Sequence, residues 1–217
     1  MIHFLQKEQL IAFATQKLTT VLGSDIPQCF LAGGAYKTLI HGRPPRDLDI
    51  WPETIQARQQ LLSLLGERGD PLPPAPGAER FLLPSGLVEV PFQIETMEKR
   101  LARFDLGLSC IAVVFREGRP HSFFHPLAQE SIARQEILLI GLARSDLALA
   151  TLVRARRYAN DLNYSVPKGV EELLWKTHLE KSRDTRREQI LQLQFHYGTD
   201  TWGVTEEAES QLLHIEK

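Results

Sequence analysis

The residues with the clearest capacity for chemistry are two aspartates separated by a single leucine, Asp47 and Asp49. The stretch from Asp47 to Trp51 alternates polar and apolar side chains, which predicts a half-buried strand. Side chains at i and i+2 of a strand share a face, so the two carboxylates project side by side. Adjacent carboxylates repel each other unless a cation lies between them. Because Mg²⁺ (or Mn²⁺) binds hard oxygen ligands, commonly one or two carboxylates plus substrate phosphates, the pair predicts a metal site.

A glycine pair, Gly33-Gly34, precedes the aspartates and follows an apolar run, 29–32, that predicts a buried strand. Glycine lets the backbone approach a phosphate closely, and the short helix predicted over 35–40 begins with unpaired N–H donors. We therefore expect the glycine turn to cradle phosphates near the carboxylates.

Three cations accompany this turn. Lys37 lies one turn into the short helix, and Arg43 and Arg46 flank a loop whose consecutive prolines exclude helix and sheet. Positive side chains beside metal-binding carboxylates suit a triphosphate, whose charge a divalent metal cancels only in part. A glycine pair, an Asp-x-Asp or a lysine alone is common in turns and on surfaces. Their combination in this order predicts a nucleoside triphosphate site.

The elements that must position these residues are indicated by periodicity and by turn residues. We predict helices over 5–22, from Pro52 to about Leu65, from about Leu147 to 164, over 169–181 and over 184–196. We predict a hairpin of 80–83 and 87–94, a central strand over 106–115, a strand over 137–140, and an exposed loop over 66–79. The pattern changes near 141–146, which predicts an α/β core over 1–143 and a helical region over 144–217.

Composition narrows the function classes. The formal net charge of −2 gives no global basic field, and no signal specific for DNA is present. Cys29 and Cys110 stand in apolar runs typical of buried free thiols. The N-terminus lacks the pattern of a signal peptide, and no apolar run is long enough to span a bilayer. We therefore expect a cytoplasmic protein that does not enter a membrane.

The segment from Leu31 to Ile50, LAGGAYKTLIHGRPPRDLDI, resembles the signature of tRNA nucleotidyltransferases and bacterial poly(A) polymerases. Weaker similarity continues to about residue 167, through 104–112, 125–140 and 154–164. The resemblance implies an α+β fold, with a nucleotidyltransferase core of the DNA-polymerase-β type (a mixed sheet with flanking helices) followed by a small helical region. It also implies Mg²⁺ and a nucleoside triphosphate as ligands.

Two departures from that family pattern bear on the substrate. The family has two arginines before the aspartate of its second motif, whereas this chain has Arg103 followed by Phe104. The family also reads the incoming base with a Glu-Asp-x-x-Arg motif, and the matching segment here is Leu147 to Thr151. Since the chain also ends before a tRNA-binding body would fit, we do not expect CCA addition.

The third carboxylate expected from a neighbouring strand has two candidates. Glu89 is the only charge in the apolar run 87–94, and an isolated buried charge is costly unless it is paired or bound to a metal. Its alternative is an edge-strand glutamate that faces water. Asp105 matches the second-motif aspartate of the resembling family, where it and Arg103 would contact the nucleotide, although Arg103 could simply pair with it.

Three hypotheses for function are compatible with these residues. The leading one is metal-dependent transfer of a nucleoside monophosphate to a hydroxyl of RNA, a protein or a small molecule, with release of pyrophosphate. A basic cluster, Arg154, Arg156 and Arg157, is either a solvated face or a contact for an acceptor phosphate. The second hypothesis is a catalytically reduced module that binds a nucleotide or a partner. The third is a nucleotidyltransferase of a toxin–antitoxin or phage-defence system.

Overall fold

In the computed structural model, residues 6–42, 47–75, 77–142, 145–198 and 201–214 are described, and they contain one seven-stranded mixed sheet. The strands are β1 (Cys29–Ala32), β2 (Asp47–Pro52), β3 (Asp70–Ala75), β4 (Ala78–Leu83), β5 (Gly86–Pro91), β6 (Ile111–Arg116) and β7 (Arg119–Phe124). Their order is β3-β4-β5-β2-β1-β6-β7. Among these seven strands, β2 and β5 pair in parallel, and every other pairing is antiparallel.

The helices pack on both sides of the sheet and continue beyond it. They are α1 (Lys7–Leu22), α2 (Lys37–His41), α3 (Ile55–Gly66), α4 (Met97–Leu101), α5 (Pro126–Arg134), α6 (Ala148–Leu162), α7 (Lys168–Leu179), α8 (Arg183–Tyr197) and α9 (Val204–His214). The helices predicted at the N-terminus and after residue 147 are present, whereas β7, α4, α5 and α9 were not predicted. Within the described parts of the chain, no helix is long and apolar enough to cross a membrane.

Strand β2 lies at the centre of the sheet, and its side chains alternate between the two faces. Leu48 and Ile50 are buried in a large apolar core that also holds residues of α1 and α3. Asp47, Asp49 and Trp51 alternate with them and are half-buried on the opposite face. The predicted strand over 47–51 is thus confirmed, and its alternation places both aspartates on one face.

Between β2 and β4, the predicted helix to about Leu65 is present but begins later than predicted, and the loop prediction is wrong. Pro52 ends β2 instead of opening a helix, and α3 begins at Ile55, where the Thr54 side chain accepts a hydrogen bond from the N–H of Ala57 (3.0 Å). The segment predicted as a loop over 66–79 contains β3. Proline is tolerated there because β3 is an edge strand and has an irregular register between Leu72 and Ala75.

The apolar stretch 106–115 is only partly a strand, and it lies next to the β7 edge of the sheet. Residues Gly107–Ser109 form a 3-10 turn, and residue 107 must be glycine because a Cβ there would come within 2.7 Å of the Leu127 carbonyl oxygen. The strand predicted over 137–140 is also wrong. That segment contributes one isolated bridge, between Leu139 and Leu106.

Helix α6 connects two apolar clusters. Its C-terminal half, including Ala155, Tyr158 and Leu162, packs into the core of the sheet. Its N-terminal half, including Leu149 and Leu152, packs with α7, α8 and α9. The domain boundary near 141–146 stays a prediction. Because both of its halves are packed, the position of α6 is fixed by both clusters.

Candidate active site

Three carboxylates lie on neighbouring strands. In the parallel register of β2 and β5, Asp49 is the partner of Glu89, and Asp47 is the partner of Leu87. Register partners in a sheet point to the same face, so Glu89 lies beside the aspartate pair. Burial, followed by the charges of Asp47 and Glu89, raises the pKa of Asp49 to about 7. The three groups therefore repel one another electrostatically, as expected of a set of cation ligands.

The chemistry of this donor set fits Mg²⁺. Carboxylate oxygens are hard ligands, and Mg²⁺ in proteins binds one or two of them together with substrate phosphates. Among the described residues, no group of three or more His, Cys, Asp or Glu side chains is placed so that it could hold a metal ion. Glu89 also lies 3.4 Å from Nε of Arg80 on β4. Asp47 and Asp49 are consequently the principal metal-ligand candidates, with Glu89 beside them.

The two glycines after β1 differ in their surroundings. Gly33 has a φ of +63°, and a Cβ there would lie 3.3 Å from the carbonyl oxygen of Ser109. Glycine is therefore required at position 33 by the fold. A Cβ on Gly34 would meet only the Tyr158 hydroxyl, at 3.8 Å, an ordinary contact. The fold itself leaves room for a side chain at position 34.

Lys37 points at α6. Its Nζ donates a hydrogen bond to Oδ2 of Asp161 (2.5 Å) and lies 4.4 Å from the ring centroid of Tyr158. Burial lowers the pKa of Lys37, while the charges of Asp161 and Asp47 oppose that shift. The lysine holds α2 against α6, and its predicted contact with a phosphate stays a prediction. Arg43 and Arg46, the other two predicted cations, lie outside the described residues.

Two arginines act on Asp49 from opposite elements. The charges of Arg100 on α4 and of Arg157 on α6 both lower the pKa of Asp49, against the larger effects that raise it. The Nε atoms of both arginines are buried and have no hydrogen-bond partner among the described residues. Arg157 was recognised from sequence only as part of a basic cluster, and Arg100 was missed. The way α4 packs places the Arg100 guanidinium over Trp51 of β2, so sequence spacing alone gives no signal for this residue.

The second-motif residues have other partners than expected. Asp105 is buried and accepts hydrogen bonds from Oγ1 of Thr151 and from the guanidinium of Arg154, both on α6. The Arg103 guanidinium pairs with Glu95 instead of Asp105. Of the two candidates for a third carboxylate, Glu89 is thus the one beside Asp49, and Asp105 is engaged with α6.

The basic cluster on α6 is divided among three surroundings. Arg154 bonds to Asp105, and Arg156 pairs with Glu171 (2.9 Å) and Glu207 (2.8 Å) on α7 and α9. Arg157 is the member whose charge acts on Asp49. The cluster is therefore neither a uniform solvated face nor a single phosphate-binding surface.

No family model and no curated protein sequence matches this chain. Solved structures of CCA-adding enzymes do match its fold. One in complex with ATP has a TM-score of 0.60 and 13% identity over 99% of this chain, covering 56% of that protein. The enzyme of Bacillus stearothermophilus with CTP has a TM-score of 0.54 and 17% identity over 81% of this chain, covering 47% of the enzyme.

The CCA-adding enzyme of Thermotoga maritima, complexed with tRNA-CCA, has a TM-score of 0.57 and 14% identity over 100% of this chain, covering 56% of the enzyme. This chain thus spans about half the length of the solved structures that it matches. Its fold is that of the matching part of those enzymes, and the predicted α+β class is confirmed.

Proposed function

We propose that this chain is a Mg²⁺-dependent nucleotidyltransferase that moves a nucleoside monophosphate from a triphosphate to an acceptor hydroxyl and releases pyrophosphate. The observation that carries the proposal is the placement of Asp47, Asp49 and Glu89 on two parallel strands of this fold. Such a carboxylate group is electrostatically unfavourable without a cation, as the raised pKa of Asp49 indicates. The solved relatives in fold include complexes with ATP and CTP.

The chain's own residues have distinct tasks in this reaction. Asp47 and Asp49, with Glu89 beside them, would hold Mg²⁺ (or Mn²⁺), which supplies charge neutralisation on the triphosphate and lowers the pKa of a bound hydroxyl. Arg157 would orient phosphate oxygens, since a guanidinium donates paired hydrogen bonds to such groups. The open position at Gly34 would let a phosphate approach the backbone.

The acceptor supplies the hydroxyl that receives the nucleoside monophosphate. RNA, a protein side chain and a small molecule all offer a suitable hydroxyl. Ordered CCA addition requires hydrogen bonds that read each base. At the matching positions, Leu147 and Ala148 carry apolar side chains, and the Thr151 hydroxyl is bonded to Asp105. We expect no ordered addition of CCA, and the choice among triphosphates to be loose or set by other residues.

The test offers each α-³²P-labelled triphosphate with MgCl₂ to the protein, separately with a cell extract and with a tRNA that lacks its CCA end. We expect label on an RNA, protein or small-molecule fraction of the extract, and none with the Asp47→Ala/Asp49→Ala variant. Addition of three nucleotides in order to the tRNA would contradict the expected absence of CCA addition. Triphosphate binding without transfer to any fraction would favour the nucleotide-binding module.

A further inference from the structure

Arg100 on α4 is held in an unusual way for a surface-helix arginine. Its guanidinium carbon lies 4.0 Å from the ring centroid of Trp51 and 5.0 Å from that of Phe104. Trp51 follows Asp47 and Asp49 on the same face of β2. The two aromatic rings therefore fix the guanidinium on the face that carries the carboxylates, because cations bind favourably to aromatic faces.

The hydrogen-bonding capacity of Arg100 is largely unused. Its Nε is buried and has no hydrogen-bond partner among the described residues. Its contact with Glu95 is 3.9 Å long, whereas Arg103 takes the same carboxylate in a close ion pair. A buried donor without a partner costs stability, so its retention suits a ligand that satisfies it.

A cavity of about 170 Å³ opens beside Arg100, lined among others by Phe104, Asp105, Thr151 and Arg154. Three arginines line this cavity, Arg100, Arg103 and Arg154. Asp105 balances Arg154, and Glu95 balances Arg103. Arg100 is therefore the arginine of this cavity whose charge no close carboxylate among the described residues balances. Its charge also acts on Asp49.

We infer that Arg100 binds a phosphate of the incoming nucleoside triphosphate at the edge of this cavity, an assignment that rests on the proposed function. A planar guanidinium stacked on rings is preorganised, so it loses little side-chain entropy when it binds a phosphate. Trp51 and Phe104 together serve as the platform for that guanidinium. The ligand class is any nucleoside triphosphate, because the contact is made to a phosphate and not to a base.

The experiment measures equilibrium binding of ATP, CTP, GTP and UTP in MgCl₂ by calorimetry, for the full chain and three variants. Arg100→Ala should weaken binding of each triphosphate that the full chain binds by about ten-fold, since a charge-assisted contact is lost. Arg100→Lys should recover part of the loss. Lys99→Ala removes a charge from an exposed neighbour on the same helix and should change affinity less than two-fold.

Each result separates this inference from the proposed function. If the full chain binds none of the four triphosphates, the proposed function fails and this assignment with it. If the full chain binds and Arg100→Ala binds equally well while remaining folded, only the assignment to Arg100 is overturned. A change in preference among the four bases, in place of a uniform loss, would also overturn the phosphate contact.

Discussion

The two faces of β2 have opposite surroundings although their residues alternate along six positions of chain. Leu48 and Ile50 are packed into the core with α1 and α3. Asp47 and Asp49 face Glu89, and the charges of arginines from α4 and α6 reach Asp49. One face thus stabilises the fold, and the other holds like charges together at a cost to stability. A strand whose one face is packed in the core can hold mutually repelling carboxylates on its other face.

The same contrast recurs in two consecutive residues. Gly33 has a left-handed backbone and lies against Ser109, so the fold requires glycine there. Gly34 has room for a side chain and no positive φ. Of these two neighbouring positions, the first is required by the fold and the second leaves space for a ligand.

The largest expected effect comes from the charged face. Asp47→Ala/Asp49→Ala should abolish nucleotide transfer and leave the fold intact, because it removes the metal ligands and no core contact. The unfolded chain ionises Asp49 near the ordinary aspartate pKa of 3.8, and the folded chain only near 7, so metal-free stability falls with rising pH across that interval. The variant should therefore be at least as stable as the natural chain at pH 8 without metal.

Label transfer and urea denaturation, both at pH 8, measure these two outcomes. Retained transfer by the double variant would remove the metal site from the proposed mechanism. A large loss of stability would mean that the charged face supports the fold after all.

A substitution on the apolar face of β2 should lower stability and leave nucleotide transfer unchanged. Ile50→Ala leaves a cavity beside α1 and α3 and should lower the free energy of unfolding by about 2–5 kcal/mol, because Ile50 is fully buried. Transfer per folded molecule should be unchanged, since Ile50 does not reach the carboxylates. Urea unfolding and active-site titration measure the two quantities. A variant of normal stability that loses activity would contradict the division between the faces.

The third effect tests the glycine pair. Gly34→Val should weaken triphosphate binding by about ten-fold or more at nearly unchanged melting temperature, because its side chain occupies the proposed phosphate approach. Gly33→Ala should instead lower stability by about 1 kcal/mol or more, owing to the positive φ and the contact with Ser109. Calorimetric binding and thermal melting separate the two outcomes. Equal triphosphate affinity in Gly34→Val would exclude a phosphate at that position.

The sequence was most informative where local patterns decide structure. The alternation at Asp47–Trp51, the apolar run at Cys29–Ala32 and the helical spacing of α6 to α8 all predicted elements that are present. The periodicity of side-chain directions is a local property of strands and helices, so it can be recognised in the sequence without knowledge of tertiary contacts. The alternation of β2 is therefore sufficient by itself to assign the aspartate pair to one face.

Tertiary packing decided what the sequence could not predict. Strand β3 carries Pro71, Pro73 and Pro74, which exclude a central strand but not this edge position. Arg100 on α4 lies over Trp51 and its charge acts on Asp49, whereas Arg103 pairs with Glu95. The placement of charged side chains that are distant in sequence depends on how the helices pack on the sheet. The spacing of residues along the chain does not predict it.

The smallest expected effect concerns pH and the charged face alone. Because burial, Asp47 and Glu89 raise the pKa of Asp49 to about 7, a proton competes with Mg²⁺ for this carboxylate at neutral pH. Mg²⁺ affinity should be highest above pH 8 and should fall by about ten-fold between pH 8 and pH 6, following protonation of a single group.

Calorimetric titration of Mg²⁺ into the nucleotide-free protein measures this dependence. Asp49→Asn provides the matched control, because it keeps the shape of the side chain and has no proton to lose in this range. Its residual Mg²⁺ affinity should be weaker and nearly constant from pH 6 to pH 8. If the natural chain also binds Mg²⁺ equally at both pH values, Asp49 does not belong to the metal site, and the contrast between the two faces of β2 must be explained by packing alone.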